Sequence, residues 1–234
     1  MPIPSHPVYA EFPAVNLTCG AGVAIFHVKS SRVVLCYHTL EHYWFLPKGR
    51  RDAGEETRRG AEREGFEESG YRNRLLPLPI IHRQPQAAES VAVGEAKQIN
   101  VVEPIWTTLL PQSKRTQYLL HWFVAETLPP DLETSMGPPP ASRAYHEPPP
   151  YPSNLRLVDR LALEPDGYEP TRYDNTGVDS DEAHYMSYLL PVEEAIQKLG
   201  KNSMGEVIAV GWERIQARLA AESDATTSDP GPVH

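Results

Sequence analysis

The chain has 234 residues, enough for one globular domain with room for an insertion or a tail, and at 40% hydrophobic and 23% charged residues it can build a packed core. Its formal net charge of −9 argues against general nucleic-acid binding, which needs a basic surface. No run reaches the roughly eighteen apolar residues of a membrane-spanning helix. The first residues carry neither the basic nor the apolar part of a secretory leader. Cys19 and Cys36 make neither a disulfide framework nor a zinc site, and both lie in apolar runs that suit buried thiols. A reducing cytoplasmic location is expected, with the nucleus as the alternative.

Residues 1–16 hold four prolines and read as an extended arm. The continuous apolar run 21–28 is typical of a strand buried on both faces. A turn at Ser30-Ser31 leads to strands at 32–38 and 42–46, the last ending in Pro47-Lys48-Gly49-Arg50-Arg51. Residues 57–69 read as a helix, with Thr57 as N-cap and Gly70 in the place of a C-terminal glycine. Strands are expected over 73–81, 98–109 and 117–126, and again at 185–190; helices at 192–199 and 205–220 follow. Residues 223–234 read as a disordered tail.

Composition shifts between 129 and 182. This segment holds eleven of the 24 prolines and eleven acidic against four basic residues, a net of −7. It reads as a proline-rich acidic insertion with little regular structure, removable without loss of the fold. Tyr145, Tyr151, Tyr168, Tyr173, Leu155, Leu157 and Leu161 offer points at which parts of it can be pinned down. The domain proper then comprises 17–128 and 183–222.

On the helix at 57–69, Glu64, Glu67 and Glu68 fall at i, i+3 and i+4, within an arc of about 100°. Like charges so placed destabilise a helix by a few tenths of a kcal/mol per pair. A solvated acidic face is one reading. The other is a divalent cation that offsets the repulsion, and grouped hard oxygen donors suit Mg²⁺. The wider spacing separates the two. Gly49, Glu55, Arg63-Glu64, Glu67-Glu68 and Gly70 stand at the intervals of the Nudix box, with Tyr71 after them, and a chance match of seven such positions is about one in a million. The chain therefore resembles the Nudix hydrolases. One position departs: Gly65 stands where the family usually has an aliphatic residue, and with Gly60 it places two glycines in the helix, each costing about 1 kcal/mol against alanine. Phe66 is expected to fill part of the space.

The resemblance implies an α+β fold, a Nudix-type α/β/α sandwich with a mixed sheet, here interrupted by the long insertion. It implies that Glu64, Glu67 and Glu68 bind Mg²⁺ or Mn²⁺ together with the backbone carbonyl of Lys48. Glu55 and Arg63 would orient these carboxylates, and Glu64 would serve as general base, with Glu103, Glu126 and Glu182 as candidates outside the box. The reaction implied is attack of water on a phosphoanhydride of a small-molecule substrate.

Eight basic residues crowd positions 48–74: Lys48, Arg50, Arg51, Arg58, Arg59, Arg63, Arg72 and Arg74. They read either as a helix laced with ion pairs or as a polyphosphate-binding rim, to which Lys114 and Arg115 add. The run Trp44 to Gly49 is similar to the Pro-Lys-Gly lead-in of diadenosine polyphosphate hydrolases and of some diphosphoinositol polyphosphate phosphohydrolases. Lys114-Arg115-Thr116 resembles the second group, and Ser187 to Ala195 resembles both. These matches imply one or both substrate classes. A nucleotide-sugar or RNA-cap pyrophosphatase and a non-catalytic nucleotide-binding module are the alternatives. Tyr43, Trp44, Trp106, Trp122 and His121 are candidates for stacking on adenine or for the core.

Overall fold

The computed structural model describes residues 5–85, 100–140 and 145–227. Its strands are β1 (Leu17–His27), β2 (Arg32–His38), β3 (Tyr43–Phe45), β4 (Lys48–Arg50), β5 (Asn73–Leu75), β6 (Trp106–Pro111), β7 (Gln117–Thr127) and β8 (Tyr185–Pro191). The helices are α1 (Thr57–Ser69), α2 (Pro130–Met136), α3 (Leu157–Leu163), α4 (Val192–Leu199) and α5 (Ser203–Thr227). Among the described residues no helix is long and apolar enough to cross a membrane.

All eight strands belong to one mixed sheet. β1 runs parallel to β7, in register from Leu17↔Gln117 to Phe26↔Glu126. The opposite edge of β1 is shared by β4 and β2, both antiparallel to it. β2 pairs along its length with β8, from Arg32↔Pro191 to His38↔Tyr185. β6 and β5 divide the far edge of β7.

The two-residue period of β1 sorts its apolar run between two layers. Ala21, Val23 and Ile25 pack with Ala61 of α1 on one face. Ala24 and Phe26 meet Ala195 and Leu199 of α4 and Val207, Ile208 and Ile215 of α5 on the other. The α/β/α sandwich with a mixed sheet is thus the observed fold.

Gly65 explains its own departure from the family pattern. A Cβ at this position would lie 2.7 Å from Asn73 Nδ2 and 2.8 Å from Val23 Cγ1. Helix and sheet are already in contact there, and Asn73 Nδ2 donates to the carbonyl of Glu62 (3.0 Å). No gap is left for Phe66, which turns outward instead against the rings of Tyr145 and Tyr173.

Several boundaries differ from expectation. The strand expected over 73–81 stops at Leu75, because Pro77 and Pro79 cannot donate to a ladder; only Leu78 forms a further bridge, to Val101. The strand expected over 98–109 runs instead from Trp106 to Pro111; its first two residues lie outside the described ones. Glu56, not Thr57, occupies the N-cap position of α1. α5 continues to Thr227, into the expected tail, whose last seven residues lie outside the described ones, as do the first four of the N-terminal arm.

The largest difference is in 129–182. Two short helices, α2 and α3, form in it. Leu157 of α3 is fully buried in the main core, and Tyr151 joins it. Arg160 pairs with Glu126 of β7 at 2.8 Å, Glu164 with His27 of β1 at 3.0 Å, and Glu133 of α2 with Arg72 at 2.9 Å. Glu133, Arg160 and Glu164 are thus buried in pairs, while most of the other acidic residues of the segment stay exposed. The described part of 129–182 packs onto the sheet and into the core, in place of the expected loose insertion, so its removal is expected to cost stability.

Two stability measurements check this packing. Leu157→Ala should cost about 2–5 kcal/mol in denaturant unfolding, the usual range for a fully buried leucine; a surface insertion would lose almost nothing. Gly65→Ala gains about 1 kcal/mol of helix propensity but forces a contact that costs about 1–3 kcal/mol. It should be net destabilising, whereas Gly60→Ala, whose tightest contact is the end of the Glu55 side chain at 3.1 Å, should be milder.

Candidate active site

The site is built where β4 crosses the start and end of α1. β4 lies on β1 with Gly22↔Lys48 and Gly20↔Arg50 in register. This pairing leaves the Lys48 N–H pointing off the ladder, where it donates to Glu68 Oε2 at 2.6 Å. The Arg50 carbonyl, on the same outer edge, accepts from Arg63 at 2.9 Å. Between them, any Cβ on Gly49 would collide with the Glu64 carboxylate, so only glycine lets strand and helix approach this closely. The Gly49 carbonyl accepts from the Tyr118 hydroxyl at 2.8 Å. At the far end, Gly70 closes α1 at φ +76° and donates to the Phe66 carbonyl at 2.8 Å.

Arg63 is the hub. Its guanidinium donates to Glu55 Oε1 (2.9 Å) and Oε2 (3.0 Å) and to Glu67 Oε2 (2.6 Å), and lies 2.9 Å from Glu64 Oε1. Glu55 is further held by the Asp52 N–H at 3.0 Å and by Arg59 at 2.8 Å. Burial pushes the Glu55 carboxyl up, but the hydrogen bonds and charge of Arg63 outweigh it and hold the group below the usual carboxylate range.

The remaining carboxylates are less well compensated. Burial pushes Glu64 up to about 7 despite Arg63, with Glu67 adding to the rise. Burial likewise pushes Glu68 up to about 8, more than the charge and backbone N–H of Lys48 offset. Glu67 is raised by burial as well. One carboxylate oxygen each of Glu64, Glu68 and Glu182 lies within 4.8 Å of the other two. Three hard oxygen donors this close, one buried and two half-buried, suit a Mg²⁺- or Mn²⁺-type ion. The residues present fit such an ion.

A cleft of about 610 Å³ opens over this cluster. Lys48, Arg50, Arg51, Arg63, Glu64, Glu67 and Glu68 all line it, joined by Tyr118, Asp179, Glu182 and Tyr185. Lys114 and Arg115 sit in the exposed β6–β7 turn, outside the lining, although Gln112 of the same hairpin reaches the cleft. Within the triad expected on α1, Glu67 is taken up by Arg63, and Glu182 closes the carboxylate cluster instead.

Of the other candidate bases, Glu126 is fully buried between Arg74 and Arg160, and Glu103 pairs with Arg58 at 3.4 Å. The expected basic rim also narrows. Arg58, Arg59, Arg72 and Arg74 are bound to Glu103, Glu147 and Glu55, Glu133 and Glu126 respectively. None of the five stacking candidates reaches the cleft; Trp122 is a core residue, while Tyr118 and Tyr185 stand at the cleft wall. Tyr118 gave no signal beyond its place on an alternating strand.

The family model described as NUDIX domain matches residues 18–138. Among solved structures, the chain is similar to a NUDIX hydrolase from Nitrosomonas europaea, at TM-score 0.43 and 11% identity over 86% of this chain and 90% of that one. It is similar also to the Ap4A hydrolase of C. elegans, at TM-score 0.40 and 16% identity over 87% of this chain and 98% of that one. None of the curated proteins compared matches the chain. The family match spans more than half of the sequence, from β1 through the carboxylate-bearing helix to α2, and on it the chain belongs to the Nudix family of hydrolases, which act on pyrophosphate bonds.

Proposed function

We propose that the cleft is the active site of a Mg²⁺- or Mn²⁺-dependent pyrophosphohydrolase, and that its substrate is a diadenosine polyphosphate, a diphosphoinositol polyphosphate, or both. Glu64, Glu68 and Glu182 would hold the ion, with the Lys48 carbonyl as a further ligand and Glu67 kept close by Arg63. When bound, the ion neutralises phosphate charge and makes water nucleophilic near neutral pH. Glu64 takes the proton from the attacking water as a phosphoanhydride P–O bond breaks. Arg63 fixes the direction of that carboxylate, and Glu55 fixes Arg63.

One observation carries the choice of a phosphate-rich substrate. Among the described residues, Lys48, Arg50, Arg51, Lys114 and Arg115 form no ion pair, whereas Arg58, Arg59, Arg63, Arg72 and Arg74 all do. The unpaired cations include the three that line the cleft and two on the hairpin beside it. Unpaired guanidinium and ammonium groups at the mouth of an anionic metal site suit a ligand with more phosphates than the ion alone can neutralise.

Two experiments test this reading. Replacing Glu68 with Gln should lower turnover by about two orders of magnitude or more and abolish stabilisation by Mg²⁺; Glu67→Gln should also reduce turnover severely. Because the folded pKa of Glu68 is raised, the stability its neutral form lends is intact below about 4.5 and is lost as pH rises through about 8. Metal-free Glu68→Gln should therefore become progressively more stable than the wild type across that range. Activity in EDTA, or full activity in both variants, overturns the metal assignment. In a panel of phosphoanhydrides, diadenosine tetraphosphate or a diphosphoinositol polyphosphate should exceed ADP-ribose in kcat/KM. Arg50→Ala with Arg51→Ala should raise KM most at low salt. ADP-ribose or a nucleotide sugar as best substrate overturns the substrate assignment.

A further inference from the structure

Glu182 comes to the carboxylate cluster from a different part of the chain than Glu64 and Glu68, and something must hold it there. The segment carrying it has little regular structure before the 3-10 turn Glu182–His184. Glu182 Oε2 accepts the N–H groups of Val178 and Asp179, which fixes the carboxylate relative to its own loop. The loop in turn touches α1 through Thr176, whose hydroxyl donates to the Glu67 carbonyl at 2.9 Å. The next tie lies one residue before Glu182. Asp181 Oδ1 is 3.3 Å from Nε2 of His38, and Asp181 Oδ2 accepts from the Tyr185 hydroxyl at 3.1 Å.

His38 is a committed partner in this contact. It ends β2, is 1% exposed, and is packed by the rings of Tyr43 and Tyr185, each at 5.3 Å. Its Nδ1 receives the backbone N–H groups of Leu40 (3.3 Å) and Glu41 (3.2 Å). A backbone N–H only donates, so Nδ1 carries a lone pair and the ring proton sits on Nε2, facing Asp181. Next to it, Thr39 donates twice to the His184 carbonyl, both at 2.9 Å. The β2–β3 turn therefore grips both sides of Glu182, at 181 and at 184.

We infer that His38 is a positioning residue for the metal site: through Asp181 it holds the Glu182 loop on the end of β2, so that the third carboxylate stands ready beside Glu64 and Glu68. This rests on the proposed role of Glu182 and goes beyond it, since His38 is absent from the cleft lining and touches neither ion nor substrate. A ligand held in place before binding loses less freedom on binding, so release of the loop shows as weaker metal affinity.

The test is Mn²⁺ binding to the full chain, by calorimetry and by electron paramagnetic resonance of free Mn²⁺, with no substrate present. Asp181→Ala and His38→Phe should each raise the Mn²⁺ dissociation constant about three- to ten-fold, the worth of one hydrogen bond. The pair combined should do no worse than the stronger single change. Asp181→Asn, which keeps the acceptor and drops the charge, should stay near wild type. In a Glu182→Gln background neither change should weaken binding further. Asp181 is 61% exposed in its side chain, so its variants are expected to fold even if His38→Phe does not. If Glu182→Gln weakens Mn²⁺ binding but Asp181→Ala does not, the positioning role is overturned while the metal site stands. If Asp181→Asn loses as much as Asp181→Ala, the effect is charge alone and the role is again overturned. If Glu182→Gln leaves Mn²⁺ binding unchanged, the metal reading of Glu182 fails and the inference fails with it.

Discussion

Arg63 makes the rest of the site possible. Taking a carboxylate out of water costs several kcal/mol unless a partner compensates it, and here one guanidinium serves Glu55, Glu64, Glu67 and the Arg50 carbonyl at once. It can do so because its planar fork presents donors in several directions. The same contacts tie the loop after β4 to the middle of α1, so electrostatics and local fold are one arrangement. The compensation is also uneven. Glu55, with two bonds from the fork, is held ionised, while Glu64 and Glu68 are left wanting positive charge. A structural carboxylate at Glu55 and a cation-seeking one at Glu64 thus arise around one arginine, while Glu68 is met by Lys48.

The same physics organises the opposite end of the molecule. Glu126, fully buried on β7, sits between Arg74 and Arg160, and Arg160 reaches on to Glu164, which meets His27. This chain of alternating charges fastens α3 to β1 and β7, and Leu157 adds its apolar weight to the core alongside. Glu126 and Arg160 each hold two partners in this chain, so the acidic segment is bound to the sheet more firmly than its composition suggests.

What could be read from the residues was whatever depends on spacing along the chain. The uninterrupted apolar run of β1 declared a strand covered on both faces. The intervals from Gly49 to Gly70 declared the helix, its loop and the approach of Glu64 to Glu68, but not Glu182, which joins them from a distant segment while Glu67 turns to Arg63. What could not be read depends on partners distant in sequence. Composition counts Glu133, Glu164 and Arg160 as solvated charge because it cannot show that each meets a complement on the sheet. Gly65 looked like a packing fault because its neighbours Val23 and Asn73 are visible only in three dimensions. Among the basic residues, only geometry separates Arg50 and Arg51, which line the cleft and form no ion pair among the described residues, from Arg72 and Arg74, neutralised within the fold.

The long pairing of β2 with β8 bears on how the chain is made. β2 is finished early in synthesis, but the strand that covers its outer edge emerges only after the whole of 129–182. Until then the nascent chain carries an open edge of Val33, Val34, Leu35 and Cys36, flanked by an apolar face that α4 and α5 have yet to cover. An uncovered, β-rich, uncharged edge is the kind of template on which neighbouring chains pair. The charged and proline-rich stretch that intervenes is poor material for such pairing. By composition, residues 129–182 therefore place between the vulnerable strand and its cover a stretch ill-suited to edge pairing.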